Sequence, residues 1–212
     1  MDALIRHTDP GRVAAHVFYL KPGQGHLGDP SIPCRAATSA SKASAMMELV
    51  GFLDQHRIDV LHTHSYRPNL FGRMAGAVLR PSGLRIVAHY HNDYDGKWDA
   101  DTLCVERRLA TITDAGFAVS SSVATHVAIR VGLVCELAEN GVDRARVTGG
   151  DRTRGRASLG LQSEHQVVGL VGRVCRQKGT DTFVDAAIRM SGTLPQAQFV
   201  ALGDFEDAEL AA

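Results

Sequence analysis

The sequence predicts an α/β protein with two successive parallel-sheet domains. Three observations predict it. Short apolar runs alternate with segments of helical periodicity almost throughout, the order that builds parallel sheets through helical crossovers. A Gly- and Arg-rich break over Asn140 to Gly160 divides the series in two. The length, 212 residues, suits one and a half ordinary domains.

The elements follow in order. Val13 to Leu20 reads as a strand, and Ser41 to Arg57 as a helix with Met46, Met47, Leu49, Val50 and Leu53 as its apolar stripe. Ile58 to Thr63 is a short strand. Pro68 opens a helix that runs to Leu79, and Pro81-Ser82-Gly83 closes it. Leu84 to Ala88 is the next strand. Asp99 to Thr113 is helical, with Leu103, Cys104, Leu109 and Ile112 apolar. Phe117 to Val119 is a strand, and Ser121 or Ser122 caps the helix after it. Beyond the break, Gln166 to Gly172 is a strand, Lys178 to Met190 a helix and Gln198 to Leu202 a strand. The domains expected are therefore 1–145, a linker over 146–160, and 161–212.

Composition bounds the function. Hydrophobic residues make up 44% and charged residues 22%, with 23 Lys+Arg against 23 Asp+Glu, so no general nucleic-acid surface is expected. Of the late arginines, Arg144, Arg146, Arg152, Arg154 and Arg156 read as a solvated linker, while Arg173 suits an anion. Cys34, Cys104, Cys135 and Cys175 form no C-x-x-C pair, which fits a reducing cytoplasm. Met1 to Arg6 has no apolar core of a signal peptide, and no run reaches the length of a membrane span. A cytoplasmic protein is the expectation.

Ligands in such sheets bind beyond the carboxyl ends of the strands. His62-Thr63-His64 and His89-Tyr90-His91 stand at two such ends. A metal centre would need converging ligands with supporting partners, and imidazoles in pockets more often hydrogen-bond than ligate. No metal is expected. His62 and His89 read as structural residues within the strands, and His64 and His91 as better placed for a ligand. Asp93, Asp95, Asp99 and Asp101 follow; some could bind acceptor amines or hydroxyls, while Asp99 and Asp101 suit helix capping. In the second half, Gly172-Arg173 ends a strand, and Lys178-Gly179 opens a helix five residues on. Free N–H groups, a guanidinium fork and a mobile ammonium make a diphosphate cradle. The segment is not a Gly-x4-Gly-Lys-Ser/Thr loop, and no strand-to-helix turn carries Gly-x-Gly-x-x-Gly.

Gly172-Arg173-Val174-x-x-Gln177-Lys178-Gly179, followed by Asp185-Ala186-Ala187, resembles the signature of family 4 retaining glycosyltransferases of GT-B type. Ile58 to His64, Phe117 to Ser120, Glu139 to Asp143 and Ala201 to Asp204 resemble four further family segments in the family's order, with Phe205 where a second glycine usually stands. The resemblance implies two Rossmann-like domains and transfer of a sugar from a nucleotide diphosphate, UDP-linked, to an acceptor hydroxyl with retention and without a metal or other cofactor. It assigns Arg173, Lys178 and His91 (with His89 second) to catalysis. It assigns Gly172, Gly179, Asn140, Gly141 and Gly203 to the donor, and His64, His89, Asp93 and Asp95 to the acceptor. The family's first strand with its Gly-rich loop, and its later Glu-x7-Glu element, have no counterpart here, so a partial chain is expected. The stretch from Tyr66 to Trp98 is similar to glycosyltransferases that modify 2-deoxystreptamine in aminoglycoside biosynthesis, which implies an aminocyclitol acceptor. Two other readings stay open: a non-catalytic nucleotide-sugar-binding remnant, and a nucleotide-sugar epimerase of the same fold.

Overall fold

The computed structural model describes residues 2–21, 32–94 and 96–204. The chain divides into two compact units, Met1–Asp143 and Arg144–Ala212. Both are α/β, and every sheet pairing among the described residues is parallel.

The first unit begins with α1 (Asp2–Arg6) and the parallel pair β1 (Val17–Tyr19) and β2 (Cys34–Ala36), then α2 (Lys42–Gln55). Next come β3 (Val60–His64), a π-helical turn (Pro68–Gly72) that runs into α3 (Arg73–Leu79), and a 3-10 turn (Arg80–Ser82). They are followed by β4 (Arg85–Tyr90), α4 (Ala100–Ala110), β5 (Ala115–Ala118), α5 (Ser121–Val131) and β6 (Cys135–Leu137). The four strands β3-β4-β5-β6 stand side by side in sequence order. The second unit holds α6 (Arg144–Val147), α7 (Arg152–Ser158), β7 (Gln166–Val171), a 3-10 turn (Arg176–Lys178), α8 (Thr180–Ser191) and β8 (Ala197–Leu202), with β7 beside β8.

Several expectations shift. The strand expected over 13–20 shortens to β1, and β2 and β6 were not anticipated; each of the three is only three residues long, too brief for a periodic signal. Ser120, not Ser121 or Ser122, caps α5, its Oγ accepting from Val123 N at 3.3 Å. Met46 packs against the core beside Leu49 and Leu53, but Met47 is exposed. The stretch expected as a linker carries α7, started by Asp151, whose carboxylate accepts from Arg154 N at 3.0 Å. The helix expected from Lys178 begins at Thr180, because Gly179 adopts a left-handed conformation (φ 72°) that separates a 3-10 turn from the helix.

Alternation along the strands builds the core of the first unit. Ile86, Ala88 and Tyr90 of β4 and Ala118 of β5 are fully buried on one face, where Val123, Val127 and Val131 of α5 pack with Tyr94 and Trp98. Gly76 lets α3 lie close to that face; a Cβ there would stand 2.7 Å from Leu61 Cδ2 and 3.2 Å from Ile86 Cδ1. Behind the strand ends runs a buried polar network. Thr63 donates to Asn69 Oδ1 at 2.8 Å, and Asn69 Nδ2 donates to the His89 carbonyl at 3.1 Å. Arg73 donates to the Asn69 carbonyl, to Thr113 Oγ1 at 3.2 Å, and to Glu106, while the Tyr90 hydroxyl donates to Glu106 Oε2 at 3.3 Å. Arg73 and Glu106 are 0% and 1% exposed, so this ion pair is out of water entirely.

Removing one partner of such a pair strands the other charge in the interior, at a cost of about 3–5 kcal/mol. Arg73→Met is expected to lower the urea midpoint accordingly, and Arg73→Met with Glu106→Leu to recover most of the loss. A single variant within about 1 kcal/mol of wild type would remove the pair from its central place.

Candidate functional site

Two constellations stand at the carboxyl ends of the parallel strands, one in each unit. In the first unit the register pairs His64 of β3 with His89 of β4. Both strands run further than expected, so His64, like His62 and His89, lies within a strand, and only His91 lies beyond one. His62, His64 and His89 project to the face opposite Thr63, Ala88 and Tyr90. The imidazoles gather there. His64 Nδ1 is 3.0 Å from His91 Nε2. The His62 and His89 rings stack at 5.7 Å between centroids, and those of His89 and His91 at 4.4 Å. One ring nitrogen from each of His62, His64 and His89 lies within 4.8 Å of the others. His89 Nε2 is buried with no hydrogen-bond partner among the described residues.

Burial, reinforced by the neighbouring imidazoles His89 and His91, pushes His62 down to about 4. Burial with His62, His89 and His91 pushes His64 down to about 3. His89 and His91 are lowered in the same way, chiefly by burial. The cluster is therefore uncharged near neutral pH. It borders a cavity of about 470 Å³ lined by His62, Thr63 and His64 of β3, the β1 segment, Phe52 and Gly72.

Backbone strain marks both loops. Ser65, just after His64, has φ 73°, and Tyr94, three residues after His91, has φ 59°. Ser65 N donates to the His89 carbonyl at 3.2 Å, and His91 N donates to the Tyr94 hydroxyl at 3.4 Å. Ser65 thus ties the end of β3 to β4, and Tyr94 closes its own loop back onto His91. Neither was foreseen, since no residue type here advertises a left-handed conformation. Asp93 is exposed on this loop, and Asp95 lies outside the described residues. Asp99 accepts from Thr102 N at 2.8 Å, the helix-capping role expected of it, and hydrogen bonds from Thr102 hold its carboxyl below the usual range. Asn140 and Gly141 are exposed, three and four residues past the end of β6.

In the second unit, β7 ends at Val171 and β8 at Leu202, each followed by a glycine. Gly172 (φ 148°) and Gly203 (φ 153°) bring their backbones so close that a Cβ on Gly203 would collide with the Gly172 carbonyl. Gly172 N donates to the Leu202 carbonyl and Val174 N to the Asp204 carbonyl, each at 2.9 Å. The loop that follows is clasped from inside. Buried Thr180 donates to the Cys175 carbonyl at 3.0 Å and receives Cys175 N at 3.1 Å. Arg173 donates to Gln177 Oε1 at 3.1 Å, and Arg173, Arg176 and Lys178 are exposed around Gly179 at the start of α8. The clasp was missed in the sequence, although a threonine directly after Gly179 was its only available sign. A shallower depression of about 660 Å³, lined by Arg152, Arg156 and Gln166 among others, opens at the far, amino end of β7 and is remote from this loop.

The Glycosyltransferase Family 4 profile matches residues 4–146, more than half of the chain. The chain belongs to glycosyltransferase family 4. The match covers the histidine cluster; the Arg173–Gly179 loop lies beyond it. Among solved structures, this family member is similar to sucrose-phosphate synthase from Thermosynechococcus elongatus, at 17% identity and TM-score 0.68, over 90% of this chain and 52% of that one. It is also similar to the S. aureus MnaA–UDP co-structure, at 12% identity and TM-score 0.55, over 86% and 50%. A third likeness is to UDP-GlcNAc 2-epimerase from Neisseria meningitidis bound to UDP-GlcNAc, at 11% identity and TM-score 0.52, over 85% and 53%. The chain spans about half the length of these structures. At these identities the likeness establishes the fold, that of GT-B glycosyltransferase neighbours. A search of the curated proteins returned no match. No helix among the described residues is long and apolar enough to cross a membrane.

Two outcomes follow from this geometry. His62 and His64 in the unfolded chain take up protons near 6.5 but in the folded chain only near 4 and 3. The unfolded state thus binds more protons in this window, so stability is full above pH 6.5 and falls as pH drops towards 4. Urea midpoints should fall between pH 7 and 5 and fall less in His64→Gln; equal slopes would mean ordinary imidazoles. Separately, Gly203→Ala must part the ends of β7 and β8, at about 1–3 kcal/mol, with faster amide exchange at Gly172. Gly192→Ala, where a Cβ meets open space, serves as the control.

Proposed function

We propose that this chain forms part of a retaining hexosyltransferase that moves a sugar from a UDP-linked donor to an acceptor hydroxyl, in a cytoplasmic setting and without a metal at the diphosphate. The Arg173–Gly179 loop carries the proposal. Its two strand ends converge at Gly172 and Gly203, and its clasp at Cys175 and Thr180 holds two cations beside a helix start. As the bond from the anomeric carbon to the leaving diphosphate breaks, negative charge grows on the diphosphate oxygens. Arg173 offers paired N–H groups to them, and Lys178 a mobile charge. Cations that meet the diphosphate as it leaves stabilise that developing charge more than they stabilise the ground state, which is where the rate gain lies. Asn140, Gly141, Gly172, Gly179 and Gly203 hold the donor in this reading. His91 works beside the donor sugar, and His64, His89, Asp93 and Asp95 face the acceptor. The acidic residues of that loop, with Asp93 exposed, suit a cationic aminocyclitol such as 2-deoxystreptamine, and a role in aminoglycoside biosynthesis would follow.

A second reading has its own support. Two of the similar structures are the UDP-bound MnaA and the UDP-GlcNAc 2-epimerase, so the fold also accommodates epimerisation of a UDP-sugar. Acceptor-independent conversion of UDP-GlcNAc would favour it. Donor binding with neither reaction would favour a nucleotide-sugar-binding remnant.

Arg173→Ala and Lys178→Ala test the main reading. In a turnover-competent protein containing this chain, each is expected to raise the barrier by about 2–3 kcal/mol, roughly 30- to 150-fold in kcat. In the 212-residue chain alone, each should weaken UDP binding measured by calorimetry. Wild-type rates and affinities in both variants would overturn the diphosphate assignment.

A further inference from the structure

We propose that His62, His64 and His89 form a binding site for a divalent d-block cation of the zinc, nickel or copper class. The sequence alone predicts no metal, because imidazoles in pockets more often hydrogen-bond than ligate; the register of β3 and β4 now brings three of them together. Each of the three rings offers a nitrogen, and these nitrogens lie within 4.8 Å of one another. Zinc–nitrogen bonds of about 2.0–2.1 Å put neighbouring ligand nitrogens about 3.4 Å apart in a tetrahedron. Closing that difference would require the rings to turn about their χ angles. Imidazole is the ligand type these cations favour, whereas magnesium and calcium require oxygen.

A second observation points to a ligand. His89 Nε2 is buried with no hydrogen-bond partner among the described residues, a state that a buried polar atom rarely occupies without an ion or water to satisfy it. The ring of His64 is held as that of a ligating histidine usually is. His64 Nδ1 meets His91 Nε2 at 3.0 Å, which fixes the ring of His64 and leaves its other nitrogen for the ion. His91 is thus a positioning partner here, not one of the three ligands. His62 and His64 border the 470 Å³ cavity, so a bound ion would keep an open coordination position toward it. Three protein nitrogens with a fourth position open is the arrangement of zinc sites that bind a small oxygen ligand.

The proposal stands apart from the glycosyltransferase reading, because cation binding is measured with no donor or acceptor present. The experiment titrates Zn2+ into the apo 212-residue chain in competition with a chromogenic chelator. Cys34→Ser and Cys104→Ser are built in, because those two thiols are in no disulfide, are exposed, and would bind zinc on their own account. One equivalent should bind at micromolar affinity or tighter. His62→Ala and His89→Ala should each weaken it at least tenfold, and His165→Ala, in the other unit, should leave it unchanged. Circular dichroism checks that the His62→Ala and His89→Ala variants keep the fold. Co2+ in place of Zn2+ should give visible bands of a nitrogen-ligated ion without thiolate charge transfer. Millimolar binding, affinity unchanged in His62→Ala, or a thiolate band each overturns the proposal.

Discussion

A guanidinium and a carboxylate sealed from water hold the first unit in register. Arg73 starts α3, Glu106 lies on α4, and Tyr90 ends β4, so one pair ties two helices to a strand end. Its desolvation cost is large, and Coulomb attraction alone does not repay it. The surrounding hydrogen bonds do the rest: Thr113, the Asn69 carbonyl and the Tyr90 hydroxyl all point into the pair, and the Arg73 guanidinium lies 5.9 Å from the centre of the Tyr90 ring. Glu106 Oε1 alone lacks a partner among the described residues. A hydrophobic pair of equal volume could give comparable stability. What the ionic version adds is direction, since only one arrangement of α3, α4 and β4 satisfies every donor.

That direction reaches the candidate site through Asn69. Its carbonyl accepts from Arg73, and its amide group joins Thr63 of β3 to the His89 carbonyl of β4. Thr63 lies between His62 and His64, on the opposite face of the strand. The buried network therefore grips the strands from behind exactly where the imidazoles emerge in front, and the strained Ser65 and Tyr94 are tolerated because the fold around them leaves little choice. A site built on strands with their backs fixed this way is held more firmly than one on a free loop.

Much of this was readable in the sequence. The helix from Lys42 was announced by its apolar stripe, and β3 and β4 by runs of Val, Leu and Ile between Gly, Pro and Asp. Gly172-Arg173 and Lys178-Gly179 stood out because cations beside glycines at a strand-to-helix turn suit an anion for simple physical reasons. What stayed hidden was long-range. Nothing local pairs Asn69 with His89, or Arg73 with Glu106 thirty-three residues on. The two His-x-His motifs were visible, but their convergence depends on strand register, which two more residues of β4 decide. The Gly172–Gly203 approach likewise follows from β7 lying beside β8, not from either glycine's neighbours.

The two units meet a common problem with opposite electrostatics. At the end of β7 the groups are guanidinium and ammonium side chains, presented on a loop pinned from within by Thr180. Such charges attract an anion and lose nothing by being exposed. At the ends of β3 and β4 the groups are imidazoles, and burial keeps them neutral. Neutral imidazoles offer lone pairs and hydrogen bonds but no net attraction for phosphate. In the proposed reading a diphosphate would therefore go to the second unit's loop and not to the histidines, whereas hydroxyls, amines or a cation would find better partners in the first. The proposed division between donor and acceptor thus rests on which side chains each strand end carries and how far each is removed from water.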